Sequence, residues 1–379
     1  MKCVEIGLLL LLCLTSANAG GEGWDWISGL KGMNGSEFKN SIYPIIQMAA
    51  NAYRYPKTIE VPGWTPSSLV PPVAPSQGGV HVLAYRQETS NKIVIAFRGT
   101  QITDLLDGLA DICADMLLWD GLDFNSLPPK CSIFTYSTLD YFSQALNFTR
   151  HVMDAYPGYP LLLTGHSLGA GLAVLVSAAL SENSLIVPVI GFGPPATLKP
   201  LERRSLHLRA ADEGKVILVA NEWDEIMRTQ WEGQLGTLCL YQTVETEACT
   251  ACFDNFEVSG GWGSARLLLE KEGEKGSVLP EGNCIICFMQ THILKTLIKL
   301  VQEGSKPICQ ERLPTIQISG SGDVNFWSGD GKETVGDSSQ KHLMCQEVSR
   351  DVSGIRDAAP GVGDKSLGNR CRSYIQEFQ

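Results

Sequence analysis

The chain has 379 residues, a formal net charge of −11 and a sequence pI of about 5.1, and 19% of its residues are charged. An acidic chain of this kind lacks the basic surface that nucleic-acid binding requires, and it has no electrostatic attraction to anionic lipid. Its length exceeds a minimal domain, although α/β folds often reach this size as one unit.

The first 19 residues have the pattern of a secretory signal peptide. Lys2 supplies the positive start, residues 6–14 form the apolar core, and Ala17-Asn18-Ala19 is a cleavage site. The apolar core is too short to span a membrane, and no later segment has about 18 consecutive apolar residues, the length that a span needs. We therefore predict removal of residues 1–19 and a single domain over residues 20–379 in a secreted or lumenal protein.

Strand and helix patterns alternate along the middle of the chain. Apolar runs predict strands at 80–85, 92–97, 161–164, 185–192 and 215–220. Helical patterns lie at 42–53, 103–119, 138–155 and 168–183. This alternation predicts an α/β fold with a mostly parallel central sheet and helices on both faces. We interpret the polar, cysteine-containing sequence beyond residue 237 as disulfide-braced insertions in the same domain.

The segment 161–171, LLLTGHSLGAG, is the most informative stretch of the chain. An apolar run leads into Ser167 between two glycines, and small apolar residues follow. Because the chain turns sharply at this serine, Gly165 and Gly169 must lack bulk. The turn exposes the hydroxyl and directs the N-terminus of the next helix at a reacting carbonyl oxygen. The pattern predicts the nucleophile elbow of an α/β-hydrolase.

Ester hydrolysis by a serine needs a base, an acid that orients the base, and two donors for the oxyanion. In this fold the chain order is Ser, then Asp or Glu, then His. One oxyanion donor is the backbone N–H after the nucleophile, which belongs to Leu168. The other is expected after an early central strand, where the predicted strand 92–97 runs into Arg98-Gly99-Thr100.

Four segments together resemble the class 3 lipase family, which includes the fungal lipases and the sn-1-specific diacylglycerol lipases. They are FRGT at 97–100, GHSLGAGLA at 165–173, GFGPP at 191–195 and NEWDEIMR at 221–228. The resemblance covers residues 80 to 230 and implies that Thr100 is the oxyanion residue and Ser167 the nucleophile. It also implies that Asp224 is the catalytic acid, although the D-x-V-P-R segment of the family reads DEIMR here.

The base is one of two histidines, because only His292 and His342 follow Asp224 in the chain. His292 lies in an amphipathic helical pattern at 291–300, where a lone histidine is typical of packing or of the surface. His342 follows a strand candidate and a long polar loop, the position in which the family has its base. We therefore favour His342, although Lys341 stands where the family usually has an aspartate.

By the same resemblance, the segment after Thr100 is expected to be a lid. At helical spacing one face carries Leu105, Leu109, Ile112 and Met116, and the other carries Asp104, Asp107, Asp111 and Asp115. We expect the apolar face to cover Ser167 in water and to turn towards lipid at an interface, with the acidic face outside. A fixed surface helix is the alternative.

Of the twelve cysteines, Cys3 and Cys13 lie in the predicted signal peptide, so ten remain. An even number in an oxidising compartment predicts disulfides, and Cys113 could pair with Cys131. The motifs CTAC at 249–252 and CIIC at 284–287 also resemble a zinc site, but secretion favours disulfides over metal. Sequons at 34–36 and 147–149 fit a secreted glycoprotein.

We expect a secreted serine hydrolase that cleaves carboxylic esters of acyl glycerols, a triacylglycerol or diacylglycerol lipase, through an acyl-enzyme. Its partner is a lipid or ester substrate at an interface. We expect no metal or organic cofactor, no nucleic-acid partner and no integral membrane segment. Phospholipase and feruloyl esterase activities are alternatives on the same fold, and a catalytically inactive lipase-like binding protein is the alternative of another class.

Overall fold

The computed structural model describes most of the chain up to Glu311 and three short strands beyond it. The described residues are 23–54, 56–69, 78–87, 89–101, 105–208, 214–224, 226–227, 233–244, 246–250, 287–288, 290–311, 316–318, 324–327 and 333–336. The predicted signal peptide and His342 lie outside them. No helix in this described part is long and apolar enough to cross a bilayer.

A sheet of eight strands follows the order of the chain from β1 to β8. The strands are β1 (Thr65–Pro66), β2 (Val82–Gln87), β3 (Lys92–Phe97), β4 (Leu161–His166), β5 (Val189–Phe192), β6 (Val216–Asn221), β7 (Thr237–Tyr241) and β8 (Ile308–Glu311). Strands β3 to β7 are parallel, and the pairs at the two edges are antiparallel. The predicted α/β fold with a mostly parallel sheet is confirmed.

Helices cover both faces of this sheet. They are α1 (Gly35–Ala52), α2 (Leu105–Asp115), α3 (Tyr136–Leu139), α4 (Tyr141–Ala155), α5 (Leu168–Ser181), α6 (Leu198–Arg203) and α7 (Leu294–Glu303). A π-helix (Met116–Asp120) continues α2, and 3-10 helices lie at Asp25–Gly32, Phe124–Ser126 and Pro129–Ile133.

Side chains alternate along the central strands between two apolar cores. In β3, Ile93 and Ile95 pack with α4 and α5, whereas Val94 and Ala96 pack with α1 and α7. Because both faces are covered, the central strands are apolar throughout. Helix α5 is buried along all 14 of its residues, which explains its small apolar composition.

Disulfides join Cys113 to Cys131, Cys239 to Cys309 and Cys249 to Cys287. The prediction of disulfides is confirmed for these pairs, including the one between Cys113 and Cys131. The third bond takes one cysteine from each of the two motifs that resemble a zinc site, so neither of its members is a free thiolate ligand. Cys252 and Cys284, the other halves of those motifs, lie outside the described residues.

The chain divides into two compact units, Met1–Arg312 and Leu313–Gln379. In the second unit, β9 (Ile316–Ile318), β10 (Val324–Trp327) and β11 (Glu333–Gly336) form an antiparallel sheet with β10 in the centre. We predicted one domain through residue 379. These three strands pair with one another in a sheet of their own, and the single domain over residues 20–379 stays a prediction.

Candidate active site

Ser167 lies at the turn between β4 and α5. Its backbone angles are φ 56° and ψ −129°, a conformation that a non-glycine residue adopts only under strain. A Cβ on Gly165 would collide with the backbone of Gly169, and a Cβ on Gly169 would collide with the carbonyl oxygen of Phe97. The strand, the turn and the helix therefore have the geometry that the sequence predicted, for the predicted reason.

The imidazole of His292 lies between Ser167 and Asp224. The Ser167 Oγ hydroxyl is 2.9 Å from His292 Nε2, and His292 Nδ1 is 2.9 Å from each carboxylate oxygen of Asp224. Only 2% of His292 and none of Asp224 is exposed. A carboxylate accepts only, so the N–H of Nδ1 donates to Asp224, and the bare Nε2 can accept the hydroxyl proton of Ser167.

The structure thus places His292, the less favoured of the two candidate bases, between Ser167 and Asp224. The preference for His342 as the base stays a prediction. The sequence pattern suggested that His292 belongs to one amphipathic helix. In the structure α7 begins at Leu294, and the preceding Ile293 has extended angles of φ −61° and ψ 129°. His292 thus lies in a break between helical residues and can turn inward instead of packing on a helix surface. His342 lies outside the described residues.

Asp224 is held in the turn that follows β6. Its backbone N–H donates to the carbonyl of Asn221 at 3.0 Å, and the N–H groups of Ile226 and Met227 donate to Oδ1 at 3.0 and 3.4 Å. The hydrogen bonds from these donors and from His292 offset the free-energy cost of burying the carboxylate.

Gly193, in the GFGPP segment, makes room for the contact between Asp224 and His292. It has a φ of 54°, and a Cβ there would lie 2.8 Å from Asp224 Oδ2 and 3.3 Å from the His292 ring. In the sequence, Gly193 is notable only as part of the resemblance, because both of its partners lie far along the chain.

The two predicted oxyanion residues flank Ser167. Gly99 touches the nucleophile, since a Cβ on Gly99 would lie 3.0 Å from Ser167 Cβ, and Thr100 follows it directly. Leu168 is the first residue of α5, where backbone N–H groups have no acceptor within the helix. The N–H groups of these two residues are therefore candidates for binding a developing negative charge.

The hydroxyl of Thr100 is engaged by Asp115 at the end of α2. Thr100 Oγ1 donates to Asp115 Oδ2 at 2.8 Å, and Trp119 Nε1 donates to Oδ1 at 2.9 Å. Burial raises the pKa of Asp115 to about 8, and these two hydrogen bonds oppose that rise. Trp119 in turn packs on the elbow helix, where a Cβ on Gly171 would lie 2.6 Å from its ring.

The predicted outward acidic face of α2 is wrong for Asp111 and Asp115. Asp111 is 1% exposed and accepts from Arg98 Nη2 at 3.0 Å, from the backbone N–H of Gln101 at 2.7 Å and from the Tyr141 hydroxyl at 2.7 Å. Arg98 supplies the charge that compensates the buried carboxylate. The acidic residues here anchor the helix to the loop that carries Thr100.

On the predicted apolar face of α2 and its π-helical continuation, Met116 is buried and Leu109 and Ile112 are partly buried. The side chains of Leu105, Asp104 and Asp107 lie outside the described set. The Cys113–Cys131 disulfide further ties α2 to the 3-10 helix Pro129–Ile133. The second half of α2 is therefore fixed at several points.

Comparison with known proteins finds a family match in the central part of the chain. Residues 94–226 match the model of the family described as lipase (class 3). The matched segment contains Thr100, Ser167 and Asp224, and it ends before His292. A GDSL esterase/lipase of Arabidopsis thaliana is 29% identical over 117 residues, which span 31% of this chain and 29% of the length of that relative.

Similar solved structures include fungal lipases. The Lip2 lipase from Yarrowia lipolytica is 18% identical, with a TM-score of 0.35, and the match covers 54% of this chain and 79% of that one. Lipase II from Rhizopus niveus is 16% identical, with a TM-score of 0.34, and the match covers 55% of this chain and 82% of that one.

Proposed function

Residues 94–226 belong to the class 3 lipase family, and from this premise we propose that the protein is a secreted serine hydrolase that cleaves carboxylic esters of acyl glycerols. The observation that carries the proposal is the line of hydrogen bonds from Ser167 through His292 to Asp224. A buried acid, an oriented imidazole and a hydroxyl within 2.9 Å of it are the requirements for activating a serine nucleophile.

In this mechanism Ser167 Oγ attacks the ester carbonyl and gives its proton to His292 Nε2. Asp224 stabilises the imidazolium that forms and keeps the ring oriented through Nδ1. The tetrahedral intermediate collapses to an acyl-enzyme as His292 protonates the leaving alcohol. Water then attacks the acyl-enzyme, and the same imidazole removes its proton and returns it to Ser167.

The negative charge on the carbonyl oxygen is bound by the backbone N–H groups of Thr100 and Leu168. Removing one donor of this kind costs about 100- to 1,000-fold in kcat in other serine hydrolases. Asp115 supports this site by holding the hydroxyl of Thr100, which fixes the loop that presents the first donor.

Acyl glycerols are the favoured substrates because the surroundings of the site are apolar and the chain is acidic. The ring of Trp119, in the π-helix that continues α2, packs against Gly171 of the elbow helix, and Leu109 and Ile112 are partly exposed on α2. The net charge of −11 disfavours approach to anionic lipid surfaces, which makes phospholipids the less favoured of the alternative substrates.

We retain a lid as part of the proposal only for the chain before Asp111. Asp111, Cys113 and Asp115 anchor the rest of α2 through an ion pair, a disulfide and a hydrogen bond. Opening would therefore hinge ahead of these contacts, and Leu109, which packs against buried Ala110 and Cys113, would stay with the fixed part.

Secretion is supported by the predicted signal peptide and by the three disulfides among the described residues. Asn34 and Asn147, the two sequon asparagines, are both exposed, as N-glycosylation requires.

Turnover of a short-chain p-nitrophenyl ester, together with labelling by a fluorophosphonate probe, tests the proposal. Wild type should turn over the ester and be labelled, and Ser167→Ala should lose several orders of magnitude in kcat and all labelling. Ser28→Ala, at an exposed serine remote from the triad, is the matched control. Absence of turnover and labelling in the wild type would favour an inactive binding protein. Profiling with acyl glycerols, phospholipids and feruloyl esters would then identify the substrate class.

A further inference from the structure

His166 is a buried histidine that the mechanism above does not use. It ends β4, directly before the nucleophile, and is 5% exposed. Its ring lies against the ring of His292, with centroids 4.8 Å apart and planes at 38°. A buried ring in contact with the base, on the residue next to the nucleophile, is well placed to act on both.

Both ring nitrogens of His166 have hydrogen-bond partners. Nε2 is 2.8 Å from the backbone carbonyl oxygen of His292, and Nδ1 is 2.8 Å from the hydroxyl of Tyr53. A carbonyl oxygen carries no hydrogen, so Nε2 must be the protonated nitrogen. Burial, and secondarily the neighbouring His292, lower the pKa of His166 to about 3, so the ring is neutral and its Nδ1 accepts.

Tyr53 sets the donor and acceptor roles in these hydrogen bonds. Burial raises the pKa of its phenol, so the hydroxyl keeps its proton and donates it to His166 Nδ1. The Tyr53 hydroxyl also packs against Gly99, the residue before Thr100, because a Cβ on Gly99 would collide with its oxygen. One line of hydrogen bonds thus runs from Tyr53, which packs on the oxyanion loop, through His166 to the backbone of the base.

The carbonyl of His292 is free for this contact because the helix is broken there. In a continuous helix it would accept from the backbone N–H of Thr296, four residues on. That N–H instead donates to the carbonyl of Ile293 at 2.8 Å. The break that turns His292 inward therefore also exposes a backbone acceptor, and His166 Nε2 satisfies it.

We propose that His166 is a positioning residue, whose Nε2–H holds the backbone carbonyl of His292 and thereby sets the imidazole between Ser167 and Asp224. Because His166 and Ser167 are adjacent at the end of β4, the same end of this strand positions both the nucleophile and the base. The neutral His166 ring also places no positive charge beside the imidazolium that forms on His292. This inference rests on the proposed hydrolase function.

Two substitutions of His166 separate positioning from packing. His166→Phe keeps a ring of similar size and removes both hydrogen bonds, whereas His166→Gln keeps a terminal N–H that can reach the same carbonyl. We expect His166→Phe to lower kcat by roughly 10- to 100-fold with KM within about twofold, the scale of a small misplacement of catalytic groups. His166→Gln should recover kcat to within about threefold of wild type, because a donor to His292 is restored.

Tyr53→Phe removes one oxygen and leaves the core packing intact, so it tests the same chain without a change in shape. It should lower kcat about three- to tenfold, because the His166 ring loses the partner that fixes its tautomer and orientation. His151→Phe and Tyr156→Phe are the matched controls. His151 is an exposed residue of α4, and the Tyr156 hydroxyl makes a hydrogen bond to Ser67 outside the site.

A spectroscopic readout separates this inference from the proposed function. The downfield proton resonance of His292 Nδ1–H, hydrogen bonded to Asp224, should shift or broaden in His166→Phe and in Tyr53→Phe and should be unchanged in the controls. Wild-type kcat and a wild-type resonance in either variant would overturn the inference, as would a His166→Gln variant as impaired as His166→Phe. If His166→Phe does not fold, Tyr53→Phe alone decides between these results. A wild-type protein without esterase activity would instead reject the proposed function, and the resonance would still test the geometry.

Discussion

The nucleophile and the base of the proposed triad come from regions that are fixed in opposite ways. The segment Leu161–His166, Ser167 and α5 is set by its own sequence, since Gly165 and Gly169 permit the crossing and α5 is buried throughout. The segment that carries His292 is set by distant partners, namely Asp224, His166 and the disulfide from Cys287. A local motif can therefore be identified from neighbouring residues, whereas the base is defined only by contacts across the fold.

The largest expected effect distinguishes the two candidate bases. His292→Ala should lower kcat by several orders of magnitude, about as much as Ser167→Ala, because triad members act as a unit. His342→Ala should keep kcat within a small factor of wild type. Steady-state kinetics with a p-nitrophenyl ester measures both. The reverse pattern would return the role to His342 and show that the contact between His292 and Ser167 has no catalytic meaning.

The next effect concerns the disulfide that anchors the base segment. Cys287 lies five residues before His292, and its carbonyl accepts from Thr291 Oγ1 at 2.8 Å. Replacing Cys249 and Cys287 by serine should lower kcat by roughly 10- to 100-fold through misplacement of His292. It should also lower the free energy of unfolding by about 2–4 kcal/mol, the usual contribution of a disulfide.

The matched control for this disulfide replaces Cys239 and Cys309, whose bond joins β7 to β8 away from His292. This double variant should lose a similar unfolding free energy, measured by urea denaturation, and keep kcat near the wild-type value at a temperature where both variants are folded. Equal losses of kcat in the two double variants would mean that the bond from Cys287 stabilises the protein without positioning the base.

A smaller effect tests whether the glycines beside Ser167 determine the geometry of the nucleophile segment. Gly169→Ala would bring a Cβ onto the backbone of Phe97, so we expect the unfolding free energy to fall by about 1–3 kcal/mol, as for other overpacked sites. Gly29→Ala is the control, because a Cβ on Gly29 meets nothing within 4 Å. Denaturant unfolding measures both, and equal stabilities would contradict the steric account of the elbow.

The smallest effect is the pH dependence that Asp115 adds next to Thr100. Burial raises its pKa from 3.8 to about 8, so between these values the folded protein holds a proton that the unfolded chain has lost. The contribution of Asp115 to stability is therefore greatest below about pH 4, decreases as pH rises and levels off above about pH 8. Asp115→Asn should have a shallower loss of Tm over this interval, whereas Asp154→Asn, at an exposed position, should follow wild type. Parallel Tm curves for all three proteins would contradict this assignment.

Much of the fold could be predicted because its elements carry local signals. The runs at 92–97 and 161–164 became β3 and β4, and the helical pattern at 138–155 became α4 with its end at Ala155. Helix α1 begins earlier than the pattern at 42–53 predicted. Asn34 and Glu37 form a capping box there, which is a local signal that the apolar period does not include.

Strands β7 and β8 were not predicted, and the reason is different. Sixty-six residues lie between Tyr241, the last residue of β7, and Ile308, the first residue of β8. Their pairing is antiparallel and is joined by the bond from Cys239 to Cys309. No local period records such a pairing, since each strand is short and its partner lies far along the chain.

The sequence by itself determined the parallel sheet, the elbow at Ser167, the Thr100 loop and the position of Asp224 after β6. Each depends on residues within a few positions, through periodicity, the small size of glycine or the end of a strand. The tertiary structure decided which histidine faces Ser167, and it decided that Asp111 and Asp115 point inward. Those outcomes depend on the contacts of Arg98, Thr100 and His166 with residues that are distant in the chain or on another element. A buried charge is compensated only when the fold brings such partners together, so no single segment of the sequence predicts it.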